Sequence, residues 1–160
     1  MPLVAVASPG EAGGVRILVL AMLAACTTPH AFAAADDQAI RGVIAAQAEA
    51  WNKGDLEGYM AGYVKSDRLV FTSGGHIRRG WQETFDKYRA KYGSDTSTMG
   101  HLAFELLGIQ PLGADGGIVL GKWKLTDTPN AGGGVFSLGV QRTPEGWRIV
   151  HDHTSVDAAP

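Results

Sequence analysis

The sequence predicts an α+β fold in which three helices come first and a large antiparallel sheet follows. Before residue 93, apolar residues recur at helical spacing in three separate segments. From residue 101 onward the spacing changes to the alternation of long strands. Between the segments lie clusters of Gly, Pro and Asn, and 22 glycines among 160 residues supply many turns. A chain of this length makes one domain with a sizeable core.

The first helix is expected to start under a cap from Asp36 or Asp37. Its buried stripe is Ile40, Val43, Ile44, Gln47, Ala48 and Trp51. Asn52-Lys53-Gly54 stops it, and Asp55 caps a short second helix whose inner face is Leu56, Tyr59, Met60 and Tyr63. A β-hairpin follows, 69–73 and 76–79, turning at Gly74-Gly75. Gly80 opens a third helix with an aromatic stripe of Trp81, Phe85, Tyr88 and Tyr92. Strands are expected over 101–110, 117–126 and 135–142, and the Gly132-Gly133-Gly134 run between the last two reads as a flexible loop. It is no phosphate loop, because no helix follows it.

The last strand, Gly146 to Ser155, alternates most clearly. Regular alternation puts Trp147, Ile149, His151, His153 and Ser155 on one face, with Arg148, Val150, Asp152 and Thr154 on the other. The first face runs from apolar to titratable, as a strand leaving a core for a cavity would. Two imidazoles on one face can serve as general acid and base near neutrality, so His153 and His151 are the candidate catalytic residues. The competing reading is that one histidine is hydrogen-bonded at the strand end and holds a turn, while the other points at solvent. Two histidines with no matching carboxylate or cysteine are too few for a metal site, and no cofactor motif is present.

Net charge is −2 with both signs scattered, which gives nucleic-acid binding no electrostatic support. Residues 1–33 read as an export signal, which makes the mature chain 34–160. Arg16 flanks the apolar stretch 17–25, Pro29 breaks it, and Ala31-Phe32-Ala33 offers a small-x-small cleavage pattern. The long, Glu11-containing start suggests translation from Val15. The apolar stretch is too short to span a bilayer. Leu23-Ala24-Ala25-Cys26 resembles a lipobox, so a lipoprotein anchored through Cys26 stands as the alternative to a periplasmic or secreted protein.

Trp51-Asn52-Lys53-Gly54-Asp55 resembles the W-N-x-G-D signature of nuclear-transport-factor-2-like proteins. Arg79-Gly80-Trp81, Gly121-Lys122-Trp123 and the terminal strand extend the likeness to the SnoaL-like, SgcJ/EcaC-type branch over nearly all of the mature chain. The resemblance implies a cone-shaped curved sheet wrapped around the helices, the cystatin-like arrangement. It also implies a pocket on the concave side and a homodimer through the convex side. Ketosteroid-isomerase-like catalysts and non-catalytic association modules share this fold, so fold alone leaves function open. Tyr59, Tyr63, Phe71, Trp81, Tyr88 and Trp123 are the candidate pocket lining for a small hydrophobic molecule. The expected function is an exported pocket protein transferring a proton on a hydrophobic carbonyl compound, as an isomerase, dehydratase or cyclase would. A binding or dimerisation module is the alternative. Catalytic relatives use an Asp or Glu base, and no carboxylate here matches theirs by motif. Asp152 is expected to face the convex side.

Overall fold

The computed structural model describes residues 31–157. Of the expected leader only Ala31, Phe32 and Ala33 fall in that range; Cys26 and Val15 lie outside it. Helix α1 (Ala34–Asn52) starts slightly earlier than capping by Asp36 predicts. Asp36 instead sits within its first turn and reaches back, accepting from the Ala33 amide at 3.0 Å. The same carboxylate accepts from the Arg142 guanidinium and from Trp147 Nε1, which ties the helix start to the sheet. The Ala33 bond and Arg142 together hold the Asp36 carboxyl below its ordinary range.

The Trp51-Asn52-Lys53-Gly54-Asp55 motif joins three elements. Trp51 Nε1 donates to the Met99 carbonyl at 3.1 Å. The Asn52 amide pairs with both backbone groups of Leu102, donating at 3.0 Å and accepting at 2.7 Å. Gly54 takes φ +73°, a left-handed conformation that glycine adopts without strain. Asp55 then caps α2 (Leu56–Met60) by accepting from the Gly58 amide. Helix α3 (Trp81–Tyr92) runs as expected, and a single 3-10 turn (Thr96–Met99) leads into the sheet.

The strands are β1 (Val70–Ser73), β2 (His76–Arg79), β3 (His101–Pro111), β4 (Gly116–Thr126), β5 (Gly132–Thr143) and β6 (Gly146–Thr154). Their order in the sheet is β2-β1-β6-β5-β4-β3. The last four form the expected antiparallel meander. The hairpin joins it through β1, which runs parallel to β6, so the sheet is mixed rather than wholly antiparallel. Two extra residues, Leu107 in β3 and Val150 in β6, interrupt the ladders as bulges. Bulges bend a strand and sharpen its twist, and here they help curve an open sheet over the three helices. Ile40, Ile44, Met60, Leu69, Val119 and Ile149 are fully buried between the two layers. Among the described residues no helix is long and apolar enough to cross a membrane.

The triple-glycine run is strand, not loop. Gly132, Gly133 and Gly134 pair with Leu125, Lys124 and Trp123. The chain after β6 folds back against them: a Cβ on Gly134 would stand 1.9 Å from the Ser155 carbonyl oxygen. That oxygen accepts from Trp123 Nε1 at 3.1 Å, and the Asp157 amide donates to the Gly133 carbonyl. At Gly134 glycine is therefore needed for close approach of two backbones rather than for mobility.

Candidate functional site

The concave face of the sheet and helices α1, α2 and α3 enclose a cavity of about 290 Å³. Its walls are largely aromatic. Tyr59, Tyr63, Phe71, Tyr88 and Trp123 all line it, as do the core residues Trp51 and Tyr92. Trp81, expected among them, is not part of the lining. It is half-buried at the start of α3, donating Nε1 to the Met60 carbonyl at 2.9 Å and stacking on Phe85.

Asp152, only 4% exposed, lines the cavity from β6. Tyr63 donates its hydroxyl to Asp152 Oδ2 at 2.8 Å, and Thr154 donates to Oδ1 at 2.8 Å. The Tyr63 and Tyr59 hydroxyl oxygens lie 3.3 Å apart, and Tyr88 joins Tyr59 beyond them. Burial pushes the Asp152 carboxyl up to about 6, against the opposing pull of Thr154, Tyr63 and the nearby His153 charge. Burial, followed by the Asp152 charge, pushes Tyr59 up to about 12. Burial likewise holds Tyr63 and Tyr88 well above the ordinary phenol range. The site therefore pairs one carboxyl that changes charge near neutrality with three phenols that keep their protons.

The histidines take the opposite side of the sheet. His151 and His153 are both exposed on the outer face, while Asp152, expected outside, points in. The bulge explains the exchange. Up to Ile149 the odd-numbered residues point inward: Trp147 and Ile149 are buried. Val140 of β5 is paired with Ile149, yet its neighbour Gly139 is paired with His151, which leaves Val150 unmatched. One unmatched residue inverts the alternation for the rest of the strand. Beyond it the even-numbered residues face the cavity, and both Asp152 and Thr154 line it.

The bulge sits where β6 changes neighbours. Before it, Ile149 bridges Tyr63, with the Val64 amide donating to the Ile149 carbonyl at 2.9 Å. After it, His151 faces Val70 of β1. The sequence gives no sign of this except the two-letter coincidence that Val150 is apolar on a polar face. Among the described residues no group of three or more His, Cys, Asp or Glu side chains is placed to hold a metal ion.

Solved structures of several proteins share this architecture. A protein of unknown function from Shewanella oneidensis, described as NTF-2 like, is 36% identical over 74% of this chain and 98% of its own, with a TM-score of 0.71. A ketosteroid isomerase-like protein from Erwinia carotovora atroseptica is 18% identical over 76% and 96%, with a TM-score of 0.59. A candidate dehydratase of the NTF2-like family from Streptomyces avermitilis is 19% identical over 78% and 98%, with a TM-score of 0.62. No curated protein matches the sequence. Residues 40–159 match the SnoaL-like domain, three-quarters of the chain including every strand and the cavity's carboxylate; this protein belongs to the SnoaL-like family.

Proposed function

We propose that this protein is an acid–base catalyst acting on a small hydrophobic carbonyl compound held in the aromatic cavity, with Asp152 as the group that moves the proton. The observation that carries this reading is the buried Asp152 carboxyl in the cavity wall, hydrogen-bonded by Tyr63 and Thr154 and shifted to about 6. A base with a pKa near the working pH is present in its charged form and still binds a proton strongly. Asp152 would take the proton from the carbon next to the carbonyl. It would then return that proton to another carbon, as in an isomerisation, or to a departing hydroxyl, as in a dehydration. The Tyr59 and Tyr88 hydroxyls, which stay protonated, would donate to the oxygen on which negative charge develops. The ketosteroid isomerase-like and dehydratase-like neighbours agree with this class of reaction, though at their identities they speak for the fold alone.

The test is deuterium exchange. A panel of one- and two-ring ketones and enones is incubated with the protein in D₂O, and loss of the α-proton signal is followed by NMR. Exchange with wild type that disappears in Asp152→Asn while ligand affinity stays within a few-fold supports the reading. Binding without exchange leaves a non-catalytic binding module, and absence of both removes the cavity as a functional site.

The reading includes export, with cleavage after Ala33, and assembly as a homodimer through the outer face of the sheet. Cleavage there would also remove Phe32, whose ring meets Trp147 edge to face at 5.8 Å. Mass spectrometry of the exported protein should give Ala34 as the first residue; a lipid-modified Cys26 would establish the anchored form instead.

A further inference from the structure

The cavity has a charged mouth that the proton-transfer chemistry does not use. Arg78 from β2, and Lys87 and Lys91 from α3, line the same cavity as Asp152, the two lysines on its exposed side. Asp152 is the only carboxylate among the lining residues. Lys87 and Lys91 are one helical turn apart and so stand on the same side of α3, where like charges repel. Neither they nor Arg78 has a carboxylate within ion-pair distance among the described residues. Arg89 on the same helix, by contrast, pairs with Asp86 at 2.9 Å. The Arg78 guanidinium is half-buried, 5.2 Å from the Phe71 ring centroid, and its charge is felt at the Tyr88 hydroxyl. It is thus held over the aromatic wall rather than free in solvent.

We propose that the ligand is a hydrophobic carboxylate, bound with its ring system among the cavity aromatics and its carboxylate at the mouth between Arg78, Lys87 and Lys91. This deepens the proton-transfer reading and rests on its cavity. Arg78 and Asp152 flank Phe71 on one rung of the sheet, so a carboxylate set against Asp152 would meet its ionised carboxylate, whereas one drawn to the Lys87 and Lys91 side of Arg78 meets positive charge only. The planar guanidinium suits a carboxylate through two parallel N–H donors, and the two ammonium groups draw anions toward the opening. A cavity of about 290 Å³ limits the apolar part to one or two rings.

The experiment compares each acid with its neutral amide of the same shape: benzoate, cinnamate and 2-naphthoate against benzamide, cinnamamide and 2-naphthamide, by calorimetry at pH 7.5. The best acid should bind at least about tenfold more tightly than its amide at low salt, a gap expected of one charge-assisted head-group contact. The gap should narrow at about 0.5 M salt, where screening falls to a few ångströms. Arg78→Gln, and separately the exposed pair Lys87→Gln with Lys91→Gln, should weaken the acid and leave the amide unchanged. Because the two lysines are on the surface, the double variant tests the mouth even if Arg78→Gln fails to fold. Equal affinity of acid and amide in wild type would overturn the anionic-ligand proposal while leaving the proton-transfer reading intact. Failure of all six compounds to bind would also overturn the anionic-ligand proposal, and the proton-transfer reading would then rest on the ketone exchange experiment alone.

Discussion

Tyr63, three residues past α2, and Asp152, near the end of the last strand, share a 2.8 Å hydrogen bond across 89 residues of chain. Among the described residues it is one of two side-chain bonds that the Asp152 carboxyl receives. Because it favours the charged carboxylate, removing it should raise the pKa of Asp152 further. Tyr63→Phe should shift the titration of the Asp152 carboxyl carbon, followed by NMR, upward from about 6. A downward shift would show that the phenol does not donate to it. Stability near neutral pH should fall by about 1.5–3 kcal/mol, the range for a hydrogen bond to a charged group.

The same carboxyl sets how stability depends on pH. Its folded-state pKa of about 6 lies above an unfolded value of roughly 3.9. Between those values the folded state binds the extra proton, so the contribution of Asp152 is fully present below about pH 4 and is lost as pH rises through about 6, opposite in sign to that of Asp36. The cost at pH 8 is at most about 3 kcal/mol. Asp152→Asn should therefore melt higher than wild type at pH 8 and show no such gain at pH 4. A melting temperature lowered equally at both would mean that the carboxylate is not strained by burial.

His151→Gln and His153→Gln test the assignment of faces. With both side chains outside, each variant should bind cavity ligands with unchanged affinity from pH 5 to 8, roughly the span over which imidazole titrates. Loss of binding in either would return the histidines to the site and displace Asp152 from it.

Helices and most strands were legible because their apolar spacing follows directly from helix and strand geometry. Trp51, Phe85 and Trp147, expected to be core, are buried. The reading stopped where a backbone event has no letter of its own. An alternation rule carried through Val150 assigns every later residue in β6 to the wrong face, and one bulge accounts for the misplacement of His151, Asp152, His153 and Thr154 alike. The parallel β1–β6 pairing was equally hidden, since its paired residues, Val70 with His151 through Ser73 with Thr154, lie 81 positions apart. Gly132, Gly133 and Gly134 misled for a different reason: glycine marks loops and close backbone contacts with the same letter.

Asn52 offers a test of the shared motif independent of the cavity. Asn52→Ala removes both of its bonds to Leu102 and should cost about 2 kcal/mol, near 1 kcal/mol for each bond lost. Calorimetric unfolding measures this, and ligand affinity of the folded fraction should be unchanged. A loss of affinity with no loss of stability would make Asn52 part of the site.

Ile118, Leu120 and Val135 are all exposed on the outer face of the sheet, at 42%, 48% and 45%. Apolar side chains grouped on a sheet face are the material of an interface. Light scattering should give a dimer for wild type and a monomer for Leu120→Lys. A wild-type monomer at high micromolar concentration would contradict the homodimer.

The unmatched Val150 also means that β6 spells two different pockets with one set of letters. Threaded through the ladder without the bulge, the same strand would offer imidazoles inward and carry its carboxylate to the solvent. The identity of the titrating group inside this protein is thus a property of phase, decided one position upstream of the residues concerned. Shortening the strand at Val150 would preserve the present phase while straightening the backbone. Suppressing the bulge with every residue retained would exchange an acid for two bases without a single change in composition.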